Sequence, residues 1–173
     1  MYPEYLIYKN KKSSIKRETV SEGKAPTPSD IEGPFYMANA PFRNILTDTP
    51  TIILTGRVFD TNGNLLSGAI LDFWQANANG VYDMEQYYFR GKIKVDAQAN
   101  YTLKTLEPGD YQIGPNEYRC SHIHVKVSCN GYKLLTTQLY FYGDKYNTTD
   151  HWFNPAMIID KPNGFFDFVL EKV

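Results

Sequence analysis

The feature that most limits what this chain can fold into is its punctuation. Runs rich in β-branched and aromatic residues are short, and residues that reverse the backbone close each one. Thr51-Ile-Ile-Leu-Thr-Gly-Arg-Val-Phe-Asp60 stops at Thr61-Asn-Gly-Asn64, Ala69-Ile-Leu-Asp-Phe-Trp-Gln-Ala76 stops at Asn77-Ala-Asn-Gly80, and the alternating run 122–128 stops at Asn130-Gly131. Asn and Gly tolerate the positive φ that tight turns need. Residues 90–96, 101–106, 133–142 and 165–170 read as further strands. Short strands with turn signals at roughly 8–12-residue spacing specify a sandwich or barrel. Helical periodicity is almost absent; the short candidates are residues 28–31 and a turn near 148–152. The expectation is an all-β fold, an antiparallel β-sandwich core with long loops and little helix.

Length suits one domain with a sizeable core: the chain has 173 residues, 42% of them hydrophobic. Residues 1–25 are polar with weak periodicity and read as an N-terminal arm, leaving residues 26–173 as a single domain. A formal net charge of −1 argues against a nucleic-acid partner. The basic stretch 9–17 reads as part of the solvated arm. No apolar run is long enough to span a bilayer, and Met1-Tyr-Pro-Glu-Tyr-Leu lacks the pattern of a signal peptide. The expectation is a cytoplasmic protein with no membrane partner. Cys120 and Cys129, if joined by an extended strand, stand roughly 30 Å apart, too far for a disulfide, which fits a reducing compartment.

The chemistry concentrates around two of the three histidines. Residues i and i+2 of a strand point to the same face, so His122-Ile-His124 presents two imidazoles side by side. A bare pair of this kind serves equally as half a metal site or as hydrogen-bonded histidines. Tyr82 and Tyr111, which follow the breaks at Asn79-Gly80 and Pro108-Gly109, would complete a nitrogen and oxygen donor set. Tyrosinate is a hard, anionic ligand suited to Fe(III), whereas structural zinc favours Cys and His. Two alternatives stay open: a zinc or copper site built from His122, His124 and Cys120, and a non-catalytic β-sandwich binding module.

The words around these residues resemble a known family. Trp74-Gln-Ala-Asn-Ala-Asn-Gly-Val-Tyr82, Pro108-Gly-Asp-Tyr111 and Arg119-Cys-Ser-His-Ile-His124 are similar to successive signatures of the intradiol ring-cleavage dioxygenases. Gly33-Pro-Phe-Tyr36, Leu54-Thr-Gly-Arg-Val-Phe-Asp60 and Leu135-Thr-Thr-Gln-Leu-Tyr-Phe141 with Gly143-Asp144 match in kind and order. The resemblance covers about residues 26–145. It implies an Fe(III) cofactor held by Tyr82 and His122 as equatorial ligands and by Tyr111 and His124 as axial ones. It implies a small aromatic diol and O2 as substrates, and cleavage between the two hydroxyl-bearing carbons to a cis,cis-muconate-type diacid. Arg119 and Gln138 fall at positions beside the metal, Tyr111 doubles as a base, and a homo-oligomer is expected. Trp74 reads as core packing.

The chain departs from the family pattern in places. Arg119-Cys-Ser-His122 stands where Arg-Pro-Ala-His is frequent. Cys120 shares the strand parity of the histidines, although its simplest role is a small buried hydrophobe. Asp96-Ala-Gln-Ala-Asn-Tyr101 lacks the usual turn glycine, and Asn100 is expected to take the left-handed conformation instead. In size the chain is closer to a protocatechuate 3,4-dioxygenase subunit or a compact single-domain member than to the catechol 1,2-dioxygenase branch. A substrate ring carboxylate would need a cation, for which Arg43, Arg90 and Lys92 are candidates by charge. His151 is expected to be exposed or at a subunit contact. Tyr87, Tyr88, Tyr101 and Tyr118 have no motif context as ligands.

Overall fold

The structure, a computed structural model, describes residues 23–173. Residues 1–22 of the expected arm, and with them the basic stretch 9–17, lie outside the described residues. In chain order the strands are β1 (Ile52–Asp60), β2 (Ile70–Gln75), β3 (Arg90–Lys94), β4 (Asn100–Thr105), β5 (Tyr111–Gly114), β6 (Glu117–Arg119), β7 (His122–Ser128), β8 (Leu135–Phe141), β9 (Ile158–Ile159), β10 (Asn163–Phe165) and β11 (Phe168–Leu170). A five-stranded sheet runs β3-β2-β7-β8-β9. Against it packs a sheet centred on β1, flanked by antiparallel β4 on one side and by parallel β10 and β11 on the other. A separate hairpin joins β5 to β6.

The all-β expectation holds, with differences that have physical causes. β9, β10 and β11 pair in parallel rather than antiparallel. After β8 the chain makes a long excursion instead of a hairpin, and such a crossover returns a strand in the same direction. Residues 28–31 have no regular secondary structure and 148–152 lie in turns, so the one helical element among the described residues is the 3-10 turn Pro155–Met157. The β5–β6 hairpin was not visible in the sequence, because Gln112-Ile-Gly-Pro-Asn-Glu117 carries little apolar alternation. No helix among the described residues is long and apolar enough to cross a membrane.

The core lies between the two large sheets. Ile52, Leu54 and Val58 of β1 and Leu103 of β4 face Leu71 and Phe73 of β2, Ile123, Val125 and Val127 of β7, and Leu139 of β8. β1 alternates cleanly between buried and more exposed positions, as a half-buried strand should. β2 does not: Leu71 to Gln75 are all buried. That pattern means a strand covered on both faces, and its second face carries the functional groups described below. Both cysteines are free.

Two local features explain motif residues. A Cβ at Gly56 would sit 1.7 Å from the Phe166 carbonyl oxygen, which also accepts a hydrogen bond from Tyr101 Oη. Only glycine lets β1 pass that backbone. The turn after β3 uses Ala99, not Asn100, at positive φ (59°). Asp96 accepts from the backbone N–H groups of Gln98 and Asn100 and from the Asn100 side chain, so Asn100 supplies donors while its neighbour takes the strained conformation. Asp60 plays the equivalent part after β1, accepting from Asn62 N, Asn64 N, Asn64 Nδ2 and Tyr132 Oη.

Gly56→Ala is expected to destabilise the protein by about 1–3 kcal/mol or more through forced backbone displacement, read as a lower chemical-denaturation midpoint. Burial acts to raise the Asp60 carboxyl, but the hydrogen bonds from Asn64, Asn62 and Tyr132 outweigh it and hold the group below its ordinary value. A depressed folded-state pKa gives stability that is present above the unfolded value of about 3.9 and lost as pH falls through the folded one. Asp60→Asn should therefore lower stability at neutral pH and flatten the acid limb below about pH 4, measured by thermal melts across pH.

Candidate metal centre

The second face of the five-stranded sheet is read from its register. Across one row, Arg90 of β3 pairs with Trp74 of β2, Trp74 with His124 of β7, and His124 with Gln138 of β8. Paired residues share a face, so these four side chains stand side by side. One row away, His122 pairs with Tyr140. Arg90, Trp74, His122, His124, Gln138 and Tyr140 are all buried. Trp74 lies flat against His124, with centroids 4.7 Å apart and planes 7° from parallel. Its expected packing role is therefore exercised on a candidate ligand.

The tyrosines arrive from loops that meet at two glycines. Gly80 precedes Tyr82 by two residues and Gly109 precedes Tyr111 by two. A Cβ on Gly109 would stand 2.4 Å from Gly80 N, and one on Gly80 would stand 2.3 Å from Asp110 O. Gly109 N donates to Asn77 O at 2.8 Å, while Asn77 Oδ1 accepts from Asn79 N and Val81 N. The two backbones can touch because neither glycine has a side chain there, and this contact brings the phenols together. Their rings are 5.8 Å apart and edge-on. Phe35, from Gly33-Pro-Phe-Tyr36, stacks on Tyr82 at 4.4 Å.

The four side chains converge. His122 Nε2 lies 3.2 Å from His124 Nε2 and 3.2 Å from Tyr82 Oη. The Tyr111 ring is 5.8 Å from that of His122. His122 Nδ1 is 2.6 Å from the Cys120 carbonyl oxygen, so Nδ1 carries the proton and Nε2 presents its lone pair to the cluster. Burial and the Arg119 charge pull the His122 pKa down to about 3. Burial, then His122, then Arg119 push that of His124 well below the ordinary value. Both imidazoles are thus neutral. Burial raises the Tyr82 hydroxyl far above its usual pKa, with Tyr111 adding to the rise. Tyr111 is also raised by burial, though Arg119 opposes the shift.

This arrangement suits a hard cation. His124 Nδ1 is buried without a hydrogen-bond partner, so the polar contact of that ring is on its cluster side. Among the described residues no three His, Cys, Asp or Glu side chains gather as a metal site. Anionic ligation must then come from the phenols, which burial keeps neutral unless a cation supplies the field to ionise them. The zinc or copper arrangement with Cys120 does not form. A bend at Ser121 separates Cys120 from β7, so strand parity does not carry back to it. Its thiol points to Asp150 Oδ2 at 3.2 Å, and burial raises its pKa.

Arg119 ends β6 directly opposite Tyr111. Its guanidinium donates to Gln138 Oε1 and, through Nε, to Asp150 Oδ2 at 2.9 Å. Its charge also acts on the Tyr111 hydroxyl, opposing the rise that burial causes. The Gln138 side chain donates one N–H to Ile31 O and accepts from Arg119, so the protein holds both ends of its amide. Two of the proposed carboxylate cations are engaged away from the cluster: Arg43 binds the Arg90 and Tyr87 carbonyls, and Lys92 lies over Phe42. Arg90 gives Nε and Nη2 to the Asp83 carbonyl and keeps Nη1 buried without a hydrogen-bond partner. His151 is exposed. Sequence reasoning passed over Phe35 and Asp150 as site residues. Gly33-Pro-Phe-Tyr36 was visible as a motif, whereas Asp150 lies 31 positions from Arg119 with no periodicity linking them.

Known proteins share this fold. A family model described as Dioxygenase matches residues 31–157. The chlorocatechol 1,2-dioxygenase of Pseudomonas putida is 32% identical over 89% of this chain and 73% of its own length. The solved dioxygenase domain of a dioxygenase carbohydrate-binding fusion from Streptomyces sp. SirexAA-E is 42% identical, with TM-score 0.75 over 86% of this chain and all of that one. The 3-chlorocatechol 1,2-dioxygenase of Rhodococcus opacus 1CP is 28% identical, with TM-score 0.78 over 99% of this chain and 79% of that one. The family match and the fold are those of a dioxygenase. Within that class, the chain belongs to the intradiol ring-cleavage dioxygenases, which sets aside the binding-module alternative. It spans 48% to 73% of the length of the curated relatives it matches.

Gly109→Ala is expected to separate the two tyrosine loops. Iron retention in a competitive chelator assay should fall about 10–100-fold, as for other losses of ligand support, while circular dichroism stays β-rich.

Proposed function

We propose that this chain is an Fe(III)-dependent dioxygenase that cleaves catechol-type rings between the two hydroxyl-bearing carbons, adding both atoms of O2 to give a cis,cis-muconate-type diacid. The observation that carries the reading is the convergence of two neutral, buried imidazoles and two half-buried phenols on one point. Tyr82, Tyr111, His122 and His124 would hold the iron. Bound there, Fe(III) supplies Lewis acidity that ionises the phenols and the catechol hydroxyls and draws electron density from the aromatic ring.

The protein's own groups do the rest. Tyr111 Oη, once ionised, is positioned to accept a proton from one catechol hydroxyl, with the adjacent Arg119 moderating its basicity. The Arg119 guanidinium meets negative charge as it develops on the substrate, in a buried setting where such stabilisation is strong. Gln138 holds one end of that guanidinium. Phe35 and Trp74 fix the rings of Tyr82 and His124 and keep water from them.

The relatives named for catechol and chlorocatechol favour catechols without a ring carboxylate, and Arg43, one candidate cation, is tied to backbone carbonyls. Iron-loaded protein should show a broad visible tyrosinate charge-transfer band that moves to longer wavelength when catechol is added anaerobically. A colourless protein at full iron occupancy would reject the two tyrosines as ligands. The specificity constant for catechol should exceed that for protocatechuate by about 100-fold or more, since an unpaired buried carboxylate is strongly disfavoured; equal values would reject the substrate reading.

A further inference from the structure

We propose that Asp150 positions Arg119 for ring cleavage, acting from the long loop after β8 as one end of a clamp whose other end is Gln138. The inference rests on the reading of Arg119 as the group that meets charge on the substrate. Asp150 is 7% exposed and Arg119 4%. One carboxylate oxygen, Asp150 Oδ2, accepts from Arg119 Nε at 2.9 Å, Cys120 N at 2.9 Å and Cys120 Sγ at 3.2 Å. The other, Oδ1, accepts from Trp152 N at 2.9 Å. Gln138 Oε1 takes a terminal guanidinium nitrogen, and the Trp152 ring lies 4.8 Å from the guanidinium carbon.

A guanidinium is planar with its donors in a fixed fork. Holding Nε at one side and a terminal nitrogen at the other fixes both its place and its plane, opposite Tyr111 across the β5–β6 hairpin. Burial acts to raise the Asp150 carboxyl, but Arg119 and the Trp152 and Cys120 N–H groups outweigh it, so the group is ionised. The loop is anchored to the same strand end a second time. Asp144 Oδ2 accepts from Ser121 N at 3.0 Å, and Tyr146 stacks on Tyr118 at 4.4 Å.

Cys120 gains a role from this arrangement. Its N–H and its thiol both donate to Asp150. A proline, frequent at this place in the family, offers neither donor. In this chain the residue after Arg119 thus helps to hold the carboxylate that holds Arg119.

The test is a double-mutant cycle on the iron-loaded full chain with catechol as substrate. Asp150→Asn should leave the resting visible band in place and lower kcat about 10–100-fold, the scale of a small misplacement of a catalytic group. In an Arg119→Ala background the same substitution should cost less than about twofold. Multiplicative losses in the double variant, or Asp150→Asn within about threefold of wild type, would overturn the proposal. Should Asp150→Asn not fold, Arg119→Lys carries the test. It keeps the charge and loses the two-ended clamp, so wild-type kcat in that variant overturns the proposal and a loss of at least tenfold upholds it. Should wild type itself lack the band and the activity, the functional reading fails separately. The clamp is then read from the Arg119 Nε–H resonance of metal-free protein, whose slow solvent exchange is lost in Asp150→Asn if the clamp exists and unchanged if it does not.

Discussion

His122 and His124 share one face because successive strand residues point to opposite sides, and that period organises the rest of the molecule. Ile123 between them enters the core, so the alternation that packs the sandwich also fixes the imidazoles on its outer side. Neighbouring strands extend the face. Trp74 and Gln138 flank His124 because β2 and β8 pair with β7 in one register. A one-residue slip would turn every one of these groups to the other face. The register is held by the hydrophobic core, so the core and the site stabilise a single arrangement.

The electrostatics follow from burial. The two histidines are buried and the two tyrosines half-buried, and in that setting histidines lose their proton and phenols keep theirs. The cluster is therefore neutral without a cation and becomes anionic only in response to one. Arg119 and Arg90 are permanent positive charges beside it, and Asp150 offsets that of Arg119. A site of this kind binds a dianionic chelate with little change in net charge, provided its ligands can also hold protons.

Much of this was legible in the chain. Strand periodicity located β1, β2, β7 and β8, because each carries a run of apolar residues bounded by Asn or Gly turns. The spacing of His122 and His124 gave half the site directly, and the words around Tyr82 and Tyr111 gave the other half by resemblance. What stayed hidden was local geometry without periodicity. The β5–β6 hairpin has too few apolar residues to read as paired strands, yet it sets Tyr111 opposite Arg119. Strand parity misplaced Cys120, because the bend at Ser121 breaks the period just before β7 begins. Asp150 was overlooked because a carboxylate in a loop shows nothing of its partner until the chain is folded.

The most direct measurement is X-ray diffraction from crystals of the iron-loaded protein at the iron absorption edge. The account predicts one anomalous peak within bonding distance of Tyr82 Oη, Tyr111 Oη, His122 Nε2 and His124 Nε2. A peak elsewhere, or one that leaves either tyrosine out of the coordination, would contradict it.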